Sequence, residues 1–150
     1  MELKFTVSAF VSRPIEAVFE AVADPEQLSH YFTTGGAQGR LETGATVTWD
    51  FHDFPGAFPV EVVEAEPNRR IVLRWEANEE GPAGYRTTVT FLFELTEDGR
   101  TKVAITEEGW RETEAGLRAS YCNCMGWSQM LCALKAWLEH GLNLREGMYR

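Results

Sequence analysis

Apolar and polar residues alternate along several stretches of the chain, and this spacing predicts β-strands. The first row runs from Phe5 to Val11, where the odd-numbered residues are apolar. Period-two alternation is typical of a strand that buries one face. Later stretches have the same character, over residues 46–51, 59–66, 71–75, 89–95 and 103–105. Short connections join them, among them the hairpin signal Asp98-Gly99, so we predict an antiparallel meander.

Two short helices are predicted directly after the first strand. Ser12-Arg13-Pro14 ends that strand, and we expect Ser12 to cap a helix with Pro14 in its first turn. Asp24-Pro25 restarts the pattern, so a second helix should carry Leu28, Tyr31 and Phe32.

A long helix is predicted from Thr113 to His140, and Gly141 suits the left-handed position that ends a helix. Its apolar residues recur at three- and four-residue steps and should form one face: Leu117, Tyr121, Cys124, Trp127, Leu131, Leu134 and Leu138. We expect this face to contact the sheet. Because a twisted sheet cannot lie flush along a straight helix, a cavity between them is our hypothesis, and a fully packed interface is the alternative.

The order of elements predicts a single α+β domain over residues 1–150. With 44% hydrophobic residues the chain can form a real core. A net charge of −9 argues against nucleic acid and against an anionic membrane surface as partners. No apolar run is long enough to span a membrane. The three cysteines do not suggest a disulfide framework, so we expect a cytoplasmic protein with reduced thiols.

Several of these features together resemble the START-like (SRPBCC) superfamily. They are the Pro14-started helix, the Asp24-Pro25 break, the Gly35-Gly36 segment, the Glu66-Pro67-Asn68-Arg69 turn leading to Trp75, and the closing helix. Within the superfamily, Gly126-Trp127 followed by Leu131, Leu134, Lys135, Leu138, Glu139 and Gly141 resembles the branch related to the C-terminal domain of the Hsp90 ATPase activator. The resemblance implies a helix-grip fold, in which a curved antiparallel sheet wraps around the C-terminal helix and often encloses an apolar cavity.

Our leading hypothesis is a non-enzymatic binding protein that holds a small apolar ligand between the sheet and the last helix. The residues expected to line the cavity are Trp49, Trp75, Phe91, Glu107, Tyr121, Cys124 and Ser128. Indoles offer a large apolar surface with one N–H donor, which suits such a ligand, although core packing is their commoner role. The small Gly126 and Ser128 leave room for a ligand or for close backbone approach.

Glu107 is the one acidic residue that strand parity places near the inner face. If the last strand continues, its carboxylate is desolvated and becomes a candidate ligand anchor, acid or base. We favour the alternative that the strand ends near Glu107 and the carboxylate reaches water. His52 and Asp53 are similarly interpreted as a solvated turn pair rather than an acid and a base at a cavity mouth, which Tyr85 and Arg86 could close.

No catalytic motif, metal-ligand spacing or phosphate-binding loop is present, so we predict no catalytic residue, no metal and no cofactor. A co-chaperone-like protein-interaction module is the first alternative, with a chaperone or another protein as its partner. A polyketide cyclase or hydrolase type of enzyme is the second. The segment from Leu142 to Arg150 packs either on the body or on another subunit, and both a monomer and a homodimer remain open.

Overall fold

The computed structural model describes residues 1–150, which form one antiparallel sheet covered by three helices. The strands are β1 (Lys4–Val11), β2 (Gly36–Gln38), β3 (Thr46–Phe51), β4 (Phe54–Glu66), β5 (Arg70–Glu76), β6 (Arg86–Leu95) and β7 (Thr101–Glu108). The helices are α1 (Ile15–Ala23), α2 (Pro25–Tyr31) and α3 (Glu114–His140). The seven strands are ordered β1-β7-β6-β5-β4-β3-β2. The predicted α+β class and helix-grip arrangement are confirmed.

The residues at the helix ends largely act as their types predict. Thr113 caps α3 by accepting from the Gly116 N–H, and Gly141 ends it with φ 67°. Asp24 caps α2 by accepting from the Glu26 N–H. The predicted Ser12 cap is wrong, because Pro14 occupies the N-cap of α1. The short strand β2 lies in the glycine-rich passage, where no alternation of apolar and polar residues predicts a strand.

The core lies between the sheet and the helices. Inward residues of every long strand are buried with the apolar faces of α1 and α2 and with the second half of α3, which contributes Trp127, Met130, Leu131, Ala133 and Leu134. A small separate cluster, Ala77, Trp110 and Ala119, lies near the first turns of α3. None of the three helices is both long and apolar enough to cross a bilayer.

The first half of α3 presents a different face to the sheet from the predicted one. Leu117 and Tyr121 are exposed, Tyr121 by 67%, whereas Gly116, Ala119 and Ser120 are buried. The predicted row is wrong there because it followed the bulky residues, which lie one position away from the buried row. The two rows converge at Trp127, and from there the prediction is confirmed.

The sheet separates between β4 and β5 at one end. Their ladder stops at the pair Glu61–Arg74, although β4 begins at Phe54 and β5 continues to Glu76. Beyond that pair β4 bonds only to β3, and β5 bonds only to β6. The gap lies beside the first half of α3 and leaves room for a cleft.

Candidate functional site

A large cleft opens where β4 and β5 separate. Its volume is about 940 Å³, and it is bounded by those strands, by α3 residues 122, 123 and 125, and by Tyr149 of the C-terminal segment. A smaller cavity of about 180 Å³, here called the inner cavity, adjoins it. Five residues line both spaces: Phe51, Phe54, Trp75, Asn123 and Tyr149. The interface between the sheet and the first half of α3 is therefore open, in agreement with the cavity hypothesis.

The walls of the inner cavity are mainly aromatic. Phe32 and Trp75 each pack against Trp127, with ring centroids 5.3 and 5.5 Å apart. Phe51 packs edge-on against Phe32 at 5.1 Å. Gly126, on the cavity side of α3, leaves nothing within 4 Å of the place a Cβ would occupy. This arrangement offers flat apolar surfaces and an unfilled volume.

The C-terminal segment closes one side of the inner cavity. The Arg145 guanidinium donates to both carboxylate oxygens of Asp53, one at 2.8 Å, and both side chains are nearly inaccessible to water. Arg145 also lies over the Tyr149 ring, with its guanidinium carbon 4.5 Å from the ring centroid. The interpretation of Asp53 as part of a solvated turn pair is wrong, since Arg145 buries it. This segment packs on its own chain.

Glu107 lies at the centre of a buried hydrogen-bond network behind the inner cavity. Its side chain is 0% exposed, and β7 continues to Glu108, so the expectation of a strand end with a hydrated carboxylate is wrong. The Trp127 indole N–H donates to Oε1 at 2.7 Å, and the Trp75 indole N–H donates to Oε2 at 3.1 Å. Thr87 Oγ1 donates to Oε2 at 2.7 Å, and Asn123 Nδ2 lies 3.0 and 3.1 Å from the two oxygens.

The protonation of Glu107 is a balance of burial and hydrogen bonding. Burial raises the pKa of this carboxyl, and the surrounding donors, which favour the carboxylate, offset only part of the rise. Glu107 lines neither the cleft nor the inner cavity. Its effect on the cavity is therefore indirect, through the orientation of the indoles and the amide that contact it.

Of the residues predicted to line a cavity, four meet in the core. Trp49, Trp75, Phe91 and Glu107 lie together, and Trp49 contacts Trp75 at 5.8 Å between ring centroids. Only Trp75 borders the open volume. Trp49 is 1% exposed, and its indole N–H has no hydrogen-bond partner. Phe91 packs edge-on against Trp127 at 5.4 Å.

The remaining predicted residues, on α3, are not brought to the cavity. Tyr121 is exposed, and Cys124 and Ser128 are half-buried without bordering either space. The Ser128 hydroxyl instead donates to the Cys124 carbonyl at 2.8 Å. Of the five residues that line both spaces, sequence reasoning missed four: Phe51, Phe54, Asn123 and Tyr149. Asn123 had a signal in its phase, since it lies four residues before the buried Trp127 and three after the buried Ser120.

The outer part of the cleft carries a mixed charged rim. Glu61, Arg74, Glu76 and Arg86 border it, two acids and two bases. Arg86 forms an ion pair with Glu61, and Glu76 accepts from the Ala83 N–H at 3.1 Å. The three cysteines are free thiols, and no group of three or more His, Cys, Asp or Glu is placed to hold a metal ion.

Comparisons with solved structures show the same architecture over almost the whole chain. The protein SSP2350 from Staphylococcus saprophyticus is 28% identical with a TM-score of 0.79, covering 95% of this chain and 96% of that one. The Aha1 dimer from Colwellia psychrerythraea is 24% identical with a TM-score of 0.74, covering 92% and 97%. DynU16, from the dynemicin biosynthetic locus, is 25% identical with a TM-score of 0.76. The match covers 92% of this chain but only 48% of DynU16.

No curated protein sequence matches this chain. The sequence profile of one family does match, over residues 12–139. This range includes α1, α2, every strand from β2 to β7 and nearly all of α3. The resemblance predicted from the sequence is thereby confirmed: the chain belongs to the family described as Activator of Hsp90 ATPase homolog 1-like protein.

Proposed function

We propose that this protein is a cytoplasmic binding protein that holds a small, mostly apolar ligand in the cleft between the β4–β5 opening and α3. The observation that carries the proposal is the open volume of about 940 Å³, which shares five lining residues with the aromatic inner cavity. Ligand pockets in proteins typically measure roughly 300–1,000 Å³ and combine apolar walls with a few fixed polar groups. Trp75 supplies such a wall, and Asn123 supplies a fixed polar group.

The buried network supports binding rather than acid–base chemistry. Both oxygens of Glu107 already accept hydrogen bonds from indole N–H groups, which can only donate. A general acid or base must be within hydrogen-bond reach of the reacting group, and Glu107 does not border the cleft. A cyclase-type activity would therefore need acid–base groups from the charged rim.

The experiment is an amide NMR titration of the protein with pools of fatty acids, flavonoid-type aromatics and sterols. We expect shifts concentrated at the cleft, at Phe51, Trp75, Asn123 and Tyr149, for at least one pool. The Trp75→Ala variant should lose that binding, whereas the control variant Trp137→Ala should retain it, because Trp137 stacks on His30 away from the cleft. Unchanged binding by a folded Trp75→Ala protein, or the absence of cleft shifts with every pool, would contradict the proposal.

Family membership favours a second candidate, a protein-interaction module that stimulates an Hsp90-type ATPase. A row of apolar residues, Leu117, Tyr121 and Met125, is exposed along α3 and offers a contact surface. The test is the steady-state ATPase rate of a purified Hsp90-type chaperone with and without this protein. Stimulation that Tyr121→Glu abolishes would support the candidate, and an unchanged rate at saturating protein would rule it out.

A further inference from the structure

The inner cavity has one amide group whose direction is set by the protein. Asn123 borders both the cleft and the inner cavity, and its Nδ2 lies within 3.1 Å of both Glu107 oxygens. A carboxylate only accepts hydrogen bonds, so the amide must turn its NH₂ group toward Glu107. The amide oxygen therefore faces away from the carboxylate.

Other polar side chains that line the inner cavity already donate to partners in the protein. The indole N–H groups of Trp75 and Trp127 donate to Glu107. Arg145 donates to Asp53, which neutralises its charge, and the Tyr149 hydroxyl donates to Gln129. The Asn123 oxygen, in contrast, accepts from no group of the chain, since every hydrogen bond of this side chain involves Nδ2.

We propose that Asn123 forms an acceptor subsite, and that the ligand is a neutral, largely aromatic molecule with a hydroxyl group placed against the Asn123 oxygen. A hydroxyl donates a hydrogen bond, so it matches the amide oxygen, which can only accept. This inference rests on the proposed binding function and specifies the ligand class for the same site.

The same geometry disfavours acidic ligands such as fatty acids. A ligand carboxylate at Asn123 would place one acceptor against another, because the amide oxygen also only accepts hydrogen bonds. Only the Asn123 side chain would separate it from the buried Glu107 carboxylate, and two negative charges that are so close repel each other. Arg145 cannot compensate, because Asp53 already occupies it.

The test compares three ligands with one skeleton: 6-hydroxyflavone, 6-methoxyflavone and flavone-6-carboxylate. We expect the hydroxyl compound to bind about ten-fold more tightly than the methoxy compound, the factor for one net hydrogen bond, and the carboxylate to bind most weakly. Binding is measured by quenching of tryptophan fluorescence, and amide shifts at Phe51 and Tyr149 place the ligand in the cleft.

The Asn123→Leu variant, which keeps the number and branching of the side-chain heavy atoms but removes the amide, should bind the hydroxyl and methoxy compounds equally. Cys132→Leu, at an exposed position of α3 that lines neither space, is the matched control and should keep the ten-fold preference. Equal binding of all three flavones to the unmodified protein, at the cleft, would overturn the acceptor subsite while leaving the binding function intact. No cleft binding by any of the three would overturn the inferred ligand class, whereas the binding function itself fails only if the fatty-acid and sterol pools also give no cleft shifts.

Discussion

Replacement of a buried tryptophan by phenylalanine should lower the free energy of unfolding much more at Trp127 than at Trp49. Trp127→Phe and Trp49→Phe remove the same atoms from side chains that are 2% and 1% exposed. The loss of packed volume is therefore similar in the two variants. The indole N–H groups differ, because that of Trp127 donates to Glu107 at 2.7 Å and that of Trp49 has no partner.

The difference in the free energy of unfolding follows from these two N–H groups. A hydrogen bond to a charged group contributes about 1.5–3 kcal/mol, and Trp127→Phe loses one. A buried unsatisfied donor costs about 1–3 kcal/mol, and Trp49→Phe removes one. Trp127→Phe should therefore be the less stable variant by about 2.5–6 kcal/mol, a large part of the roughly 5–15 kcal/mol that a domain has in total.

Urea denaturation followed by far-ultraviolet circular dichroism measures this difference directly. The two variants should have the same m-value, since the surface exposed on unfolding is nearly the same. Free energies of unfolding that agree within about 0.5 kcal/mol would refute the reasoning, because they would show that the Glu107 network does not stabilise the core through Trp127.

Three further predictions concern the C-terminal segment and α3. Burial raises the pKa of Asp53, but the hydrogen bond and charge of Arg145 outweigh it and leave the pKa lowered from 3.8. The pair therefore stabilises the fold above that value, and this stability is lost as the pH falls through the lowered pKa. The protection factors of the amides in residues 143–149, which correct for the slower intrinsic exchange in acid, should fall over the same interval. In Arg145→Met this step should vanish. Gly116→Ala should be strongly destabilising, because a Cβ there would lie 2.0 Å from a backbone carbonyl oxygen. A Cβ at Gly126 meets nothing within 4 Å, so Gly126→Ala should stabilise the helix by about 1 kcal/mol, as measured by thermal unfolding. Tyr121→Ser should change the free energy of unfolding by less than about 0.5 kcal/mol, since the ring is exposed; a cost of several kcal/mol would contradict the orientation of α3.

The order of elements could be predicted because each depends on local chemistry. Period-two alternation marks the long strands, and Pro14, Asp24 and Gly141 mark helix ends through their backbone preferences. The three-residue strand β2 could not be found in this way, since its residues are held by pairing with β3 and not by their own pattern.

The candidate site was harder to predict because it departs from the rule that bulky apolar residues face the core. On α3 the inward-facing row contains the buried Gly116, Ala119 and Ser120 and the half-buried Asn123, which hydrophobicity ranks below Leu117 and Tyr121. Asn123 faces inward because Glu107 needs donors, and Glu107 is inward because β7 extends to Glu108. Each of these facts depends on a distant part of the chain, so no local window contains it.

The position of β1 in the sheet has a consequence for how the chain folds. β1 pairs only with β7, from Lys4–Glu108 to Val11–Thr101, so the first strand has no partner until residues about a hundred positions later are available. The chain loses the entropy of closing this long loop before the β1–β7 contacts can stabilise it. Folding is therefore slow, in the millisecond-to-second range typical of non-local sheets. During synthesis the N-terminal strand therefore emerges long before its hydrogen-bonding partner, and it is an unprotected edge throughout that interval.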